Sequence, residues 1–364
     1  MFRRFSHIFI AIFFLFSFHI NAQNNREKLN LKGNVKFIKT TPYLAFEKFG
    51  KITKGEILSE KIDYDISTFV DNEISLIQFN LNGFKTMSEY YKDGELTRKH
   101  SFNYNTKNQC ISQNNYSVEY ARLNGRVIRK FNEFGLLSEY DEFNSDNKLE
   151  SKIIIKYNGN GKEIDKSIYN AEGNLESKYL YEYKPYAKVN QLKITKSFDK
   201  KGLLEYTDQE IFSEDGKLLH HTRKNEKKKS ITVTDHKYDG KRNLIYSHEV
   251  WSWVDEKTGV EFELYKITTY WYNDNQILVM KTFEEKSVTK ETPPFTSSEI
   301  TTLKYNQFGD LTEIRKTEGP KDEIKLLFSL DYEYDTHNNW IKKIVKFNAI
   351  LTKFLVEREI EYFN

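Results

Sequence analysis

The chain has 364 residues, of which 38% are hydrophobic, 30% charged and 15% aromatic, and its formal net charge is +3. Its 56 basic and 53 acidic residues are interspersed, which excludes a nucleic-acid groove built on a block of basic charge. The single cysteine, Cys110, excludes an intramolecular disulfide.

The N-terminus has three parts. Arg3 and Arg4 form a basic start, Ile8 to Phe18 an apolar core, and Ile20-Asn21-Ala22 offers a small residue for cleavage before Gln23. Residues 1–22 therefore read as a secretory signal peptide. The alternative is a membrane anchor, but the apolar run is shorter than the roughly 20 residues of a spanning helix, and Ser17 and His19 interrupt its end. The expectation is export to the periplasm, cell surface or medium, with no transmembrane span after cleavage. No cysteine lies near the cleavage point, so the protein is not expected to be a lipoprotein.

Residues 23–30 are polar and read as a disordered tail. Residues 31–77 are strand-rich, punctuated by Pro42, Gly50 and Gly55, and read as a β segment capping one end of a repeat array. From residue 78 to 364 one phrase recurs: an aromatic residue, Asn or Asp, two variable residues, Gly or Asn, then a small apolar step. Tyr169-Asn170-Ala171-Glu172-Gly173-Asn174-Leu175 is a clear copy. Others end on Gly83, Gly94, Gly135, Asn147, Gly161, Gly202, Gly216 and Gly309, and the last is Tyr334-Asp335-Thr336-His337-Asn338-Asn339-Trp340. Gly, Asn and Asp tolerate positive φ, and Asn and Asp also bond nearby backbone, so each copy predicts a hairpin turn. Between turns the side chains alternate: Leu175, Ser177, Tyr179, Tyr181 and Tyr183 fall on one face, Glu176, Lys178, Leu180 and Glu182 on the other. The expected fold is all-β, an elongated antiparallel sheet of consecutive hairpins with no substantial helix outside the signal peptide. Large rings that half cover a sheet suit the aromatic content.

The phrase resembles the YD repeat of RHS-type proteins, roughly Tyr-Asp-x-x-Gly-x-Leu. Tyr334-Asp335 keeps the dipeptide, while Tyr157-Asn158, Tyr169-Asn170 and Tyr305-Asn306 carry Asn. Tyr90-Tyr91-Lys92-Asp93-Gly94-Glu95-Leu96 is also similar to the hairpin repeats of MORN-like, antitoxin-type proteins. The resemblance implies a β-hairpin scaffold. In RHS proteins the toxic activity sits in a separate C-terminal domain; here the last repeat runs almost to Asn364, and no such domain is expected.

Within the repeat region, residues 223–229 form a basic turn. Residues 246–272 read as one longer hairpin around Asp255 to Gly259 and carry Trp251, Trp253 and Trp271. Residues 284–298, with Pro293-Pro294, read as a loop, and a strand at 356–362 ends the chain. Trp251 and Trp253 lie two apart and project from one face of a strand. Trp271 falls in the expected partner strand, on a face that the register decides. These three are the candidate ligand-binding residues, set against simple packing on the sheet; Glu249 and Asp255 share the Trp251 face in a regular strand.

Catalytic motifs are absent from the sequence. There is no Gly-rich phosphate loop, nucleophile elbow, cysteine cluster or His-Glu-x-x-His zinc motif. His220 and His221 point to opposite faces of a strand, so no metal is expected. Turn acids such as Asp146 and Asp215 read as turn caps. No cofactor is expected. The reading favours an exported binding or scaffold protein, not an enzyme, with a protein or glycan of the envelope as partner. A toxin-immunity or structural partner and an undetected hydrolase with two facing carboxylates are the alternatives.

Overall fold

The computed structural model describes residues 25–49, 51–58, 70, 73–117, 122–187, 190–254, 259–289, 295–318, 323–347 and 352–364. The expected signal peptide and Asp255 lie outside these residues. A four-residue helix, α1 (Asn25–Lys28), precedes β1 (Val35–Lys48), β2 (Lys51–Ile57), β3 (Ile74–Phe79), β4 (Lys85–Lys92), β5 (Glu95–Tyr104) and β6 (Cys110–Ser117). Next come β7 (Arg122–Phe131), β8 (Leu137–Phe143), β9 (Leu149–Tyr157), β10 (Glu163–Asn170), β11 (Leu175–Tyr186) and β12 (Asn190–Asp199). They are followed by β13 (Leu204–Phe212), β14 (Leu218–Asn225), β15 (Ser230–Tyr238), β16 (Leu244–Val254), β17 (Glu261–Tyr272) and β18 (Leu278–Thr289). The chain ends with β19 (Phe295–Tyr305), β20 (Leu311–Glu318), β21 (Glu323–Tyr334), β22 (Trp340–Phe347) and β23 (Thr352–Tyr362).

From β3 to β23 each strand pairs antiparallel with the next, as hairpin repeats require. The ends of that series then meet on β1. Residues 35–45 of β1 pair with β23, from Val35 opposite Tyr362 to Ala45 opposite Lys353, and residues 37–40 pair on the other side with β3. The sheet therefore closes into an antiparallel barrel of 22 strands, with β2 hairpinned onto the far end of β1. This corrects the expected elongated sheet and decides closure, which the sequence left open. Alternation and turn chemistry fix each local pairing, whereas closure depends on a β1–β23 pairing more than 300 residues apart in sequence, which no local pattern encodes. The stretch 31–77 thus contributes β1, the strand that joins the two ends of the ring. Of residues 284–298, read as a loop, 284–289 instead end β18 and 295–298 start β19, while 290–294 lie outside the described residues.

The recurring phrase has one geometry. In Tyr169–Leu175 the Asn170 Oδ1 accepts from the backbone N–H of Glu172 (3.2 Å) and Asn174 (2.9 Å). The Gly173 N–H donates to the Asn170 carbonyl (3.0 Å), with φ +80° at Gly173. The same pattern is built on Asn80, Asn105, Asn132, Asn144, Asn158, Asp199, Asp239, Asn306 and Asp335, and on the Ser213 hydroxyl. At Asn273 the side chain accepts from Ile277. The left-handed position is glycine at 83, 135, 161, 173, 202, 216 and 309, but Asn108, Asn147, Arg242, Gln276 and Asn338 occupy it elsewhere. Gly94 belongs to a different turn: Asp93 and Gly94 both have positive φ between paired Lys92 and Glu95, a two-residue hairpin.

In every copy the first aromatic faces the residue six positions on across a one-residue bulge, as Tyr169 faces Leu175. The turn is chiral, and turns at opposite ends of a barrel progress in opposite senses when viewed turn-up, so this pair must switch faces between ends. Residues directly opposite in an antiparallel ladder share a face, and tracing them confirms the switch. Nine copies at one end, from Phe79 to Tyr334, place the aromatic on one face of the sheet; Phe143, Tyr169 and Phe198 at the other end lie on the opposite face.

The face that carries the nine aromatics is the inner one. Side chains converge on the concave side of a cylinder and lose water there. Burial pushes the hydroxyls of Tyr104, Tyr157 and Tyr183 up to about 12, and lowers Lys343 to about 8, all on this face. Val35, Ile38 and Phe79 form one core on it, together with Leu31. Phe328, Leu330, Val345, Phe354 and Val356 form a second, which Leu58 and Val70 join. On the outer face ion pairs dominate: Lys130 and Lys152 flank Glu139 at 2.5 and 3.0 Å and hold it down to about 2.

The tail expected to be disordered is tied down from Asn25 onward. Arg26 is buried and donates to the carbonyls of Leu81 (2.6 Å) and Val35 (3.4 Å), and Asn25 Oδ1 caps the Lys85 N–H (2.8 Å). Asn339 bonds both backbone groups of Lys32, at 2.7 and 2.8 Å. This strap joins the β3–β4 turn to the β21–β22 turn across the closing strand.

Candidate ligand-binding face

A barrel of 22 strands with circular section, strands about 4.8 Å apart and tilted about 40°, would be roughly 40 Å across between backbones. Side chains of ordinary length cannot fill that width, so the inner face lines a lumen. Two adjacent rows of this face run across β11 to β18 and carry most of the charge that these strands place on it. One row reads Tyr181, Thr195, Asp208, Arg223, Thr232, Trp251, Leu264 and Ser287. The other reads Tyr183, Lys193, Glu210, His221, Thr234, Glu249, Lys266 and Glu285.

These groups are held rigidly. Asp208 accepts from His221 Nε2 (2.9 Å) and from Arg223 Nε and Nη2 (2.7 and 3.3 Å). Burial opposes its ionisation, but those bonds outweigh burial and keep the carboxyl below its ordinary range. Lys193 pairs with Glu210 at 2.8 Å. Glu163 Oε1 and His236 Nδ1, on this same face, are among the buried polar atoms of the described residues that have no partner. Burial raises Glu163, against a bond from Tyr181, and burial lowers His236.

Trp251 and Trp253 share this inner face, at the end away from the nine aromatic turns. Each remains well exposed, at 42% and 37%. Trp251 Nε1 donates to Glu249 and its ring lies 4.9 Å below Lys266 Nζ. Trp253 stacks on Phe262, with centroids 5.3 Å apart and planes 8° from parallel. Trp271 pairs with Met280 and lies on the outer face, so the register separates it from the other two. His221 is on the inner face, while His220 is on the outer one with Asp235 (2.7 Å). Among the described residues no group of three His, Cys, Asp or Glu is placed to hold a metal.

The face presents flat rings that suit apolar faces, with alternating charges and hydroxyls between them that suit polar groups.

The sequence reading singled out Trp251 and Trp253, which do share a face, but not the charged rows, because pairing across eight strands brings those together. It also missed the turns at Tyr104–Cys110, Tyr238–Leu244 and Tyr272–Leu278. A search for an aromatic followed by Asn or Asp, with an apolar residue six positions on, finds them without requiring glycine.

No family model and no curated protein matches the chain. Among solved structures, "Crystal Structure of TcdB2-TccC3" aligns at 12% identity and TM-score 0.30, over 75% of this chain and 17% of that one. The chain therefore spans less than a fifth of that structure's length. "Crystal structure of a porin-like protein from Bacteroides uniformis ATCC 8492" aligns at 8% identity and TM-score 0.24, over 91% of this chain and 99% of that one. Scores this low carry no argument about fold or function, so the fold rests on the strand pairings and the site on its own geometry.

Proposed function

We propose that this chain is an exported binding protein, not an enzyme, and that it holds an extended polar ligand of the cell envelope, a polypeptide segment or a glycan, against the inner face of its ring. One observation carries the reading: the inner face of β11 to β18 combines the exposed rings of Trp251 and Trp253 with fixed ion pairs. The alternation of Lys193, Arg223 and Lys266 with Asp208, Glu210, Glu249 and Glu285 gives no continuous basic track for a phosphate backbone.

The outer face argues against a lipid-embedded pore. A membrane barrel needs an outward apolar band about 25 Å tall. Here Lys99, Lys130, Glu139, Lys152, Lys178 and Lys346 point outward from β5, β7, β8, β9, β11 and β22, each in an ion pair. Export itself rests on the three-part N-terminus.

The test is capture on a glycan array and on a panel of unfolded polypeptides, comparing the wild-type mature protein with a Trp251→Ala, Trp253→Ala double variant. Unchanged melting with lost capture supports the site. A large fall in melting temperature without selective loss of capture makes these residues packing, and the reading fails.

A further inference from the structure

At the end of the ring that carries the nine aromatics, a repeated hydrogen bond joins neighbouring turns. The tyrosine that opens one turn donates its hydroxyl to the carbonyl of the residue that closes the preceding turn at that end. Tyr104 donates to Lys85 (2.8 Å), Tyr157 to Leu137 (2.7 Å), Tyr238 to Leu218 (2.9 Å) and Tyr272 to Leu244 (3.0 Å). Tyr334 donates to the Asp310 carboxylate instead (2.8 Å), while Tyr332 reaches the Leu311 carbonyl (2.8 Å). Tyr305 breaks the series. Its counterpart is Leu278, the residue opposite Tyr272, yet the Tyr305 hydroxyl has no hydrogen-bond partner among the described residues. Burial pushes that hydroxyl above its ordinary range.

Where the bond is missing, a cleft of about 610 Å³ opens between the two turns, within the size range of small-molecule sites. Asn273, Asn275 and Val279 line it from one turn, Leu303, Tyr305 and Gln307 from the other. The free groups are neutral. Lys304 also reaches the cleft, but its Nζ is paired with Glu313 at 2.9 Å. Asn273 Oδ1 accepts from the Ile277 N–H (3.0 Å), which leaves its amide N–H groups to donate. The side-chain amides of exposed Asn275 and Gln307 have no partner among the described residues. A hydroxyl and amides both donate and accept. With Val279 and Leu303 beside them, they match a ligand that carries hydroxyls around an apolar ring face.

We propose that this cleft binds a neutral sugar unit, one hydroxyl of which accepts from Tyr305 in place of the carbonyl that the other tyrosines reach. The site lies at the end of the ring away from Trp251 and Trp253 and does not rest on the function proposed for them. The same chemistry serves a free sugar and the terminal unit of a glycan, so small sugars probe it directly.

The experiment is saturation-transfer NMR with calorimetric titration of the mature protein, using glucose, galactose and N-acetylglucosamine as monosaccharides and as trisaccharides. At least one should bind saturably; equal affinity for monomer and trimer assigns a single-unit site, and tighter binding of the trimer assigns the end of a chain. Glucosamine and glucuronate, which carry a charge, should bind no better than glucose. Tyr305→Phe removes a hydroxyl that bonds nothing in the free protein. Its urea midpoint should therefore match wild type, while affinity falls about two- to tenfold, as the loss of one hydrogen bond gives. Tyr272→Phe loses the bond to Leu244 and should lower the midpoint. Adding Asn275→Ala and Gln307→Ala to Tyr305→Phe should abolish binding, and Lys152→Gln, on the outer face, should leave it unchanged. Three results overturn the proposal: no binding of these sugars to the wild type, affinity unchanged in Tyr305→Phe as a sugar held elsewhere would give, or a lowered midpoint in Tyr305→Phe, which would show that the hydroxyl already has a partner.

Discussion

Gly173→Ala adds one methyl group where φ is +80° and where no atom lies within 4 Å of the added carbon. Any loss of stability is therefore a backbone effect, free of clashes. Holding an L-residue in the left-handed region costs about 1–2 kcal/mol. Alanine also narrows the unfolded ensemble, which returns about 0.4–1 kcal/mol. The net expectation is a loss of about 0.5–1 kcal/mol for alanine, more for valine and less for asparagine, since asparagine fills the same place in the turns at 108, 147 and 338. Gln276→Gly reverses the sign, because Gln276 is exposed and sits at φ 62°; it should stabilise by a similar amount. A change of this size moves the melting point of so long a chain by only about 1–2 °C, so urea midpoints with fixed slope are the better assay, with Glu172→Ala as a neutral control. If Gly173→Ala is neutral and Gln276→Gly destabilises, the shared turn geometry is wrong.

Two further outcomes follow from the strap and the inner rows. Arg26→Ala leaves the Leu81 and Val35 carbonyls without their donor and should cost about 1–3 kcal/mol, with faster amide exchange in β1 and β3; exchange rising uniformly over the sheet would argue against a local clamp. His236 is lowered by burial from its ordinary 6.5, so the folded imidazole resists a proton that the unfolded chain accepts. Stability should fall as pH drops below about 6.5 and level off below the folded value, and His236→Gln should flatten that slope; an unchanged slope would place the titration elsewhere.

Much of the architecture was legible locally. Period-two alternation identified the strands, and the aromatic–Asx phrase located most of the turns because its hydrogen bonds are made within seven residues. Arg242 and Gln276 hid their turns by occupying a position that glycine usually fills. Closure was not legible: the four pairs that join β1 to β3, and the long ladder from β1 to β23, involve segments that look like any other strand. Without closure there is no inside, so the charged rows that include Trp251 could not be assembled from sequence. Trp271 shows the same limit at one residue, since a single step of register decides its face.

Closure of the ring is the claim on which the rest depends, and one cross-link tests it. Thr41 and Glu357 are directly opposite on β1 and β23, within the backbone separation that a disulfide spans. Thr41→Cys with Glu357→Cys, in a Cys110→Ser background, should oxidise at high dilution to an intramolecular disulfide joining those two positions, seen as one bridged peptide by mass spectrometry. An open sheet holds its first and last strands apart. It would give free thiols or intermolecular bridges, and that result would contradict the barrel.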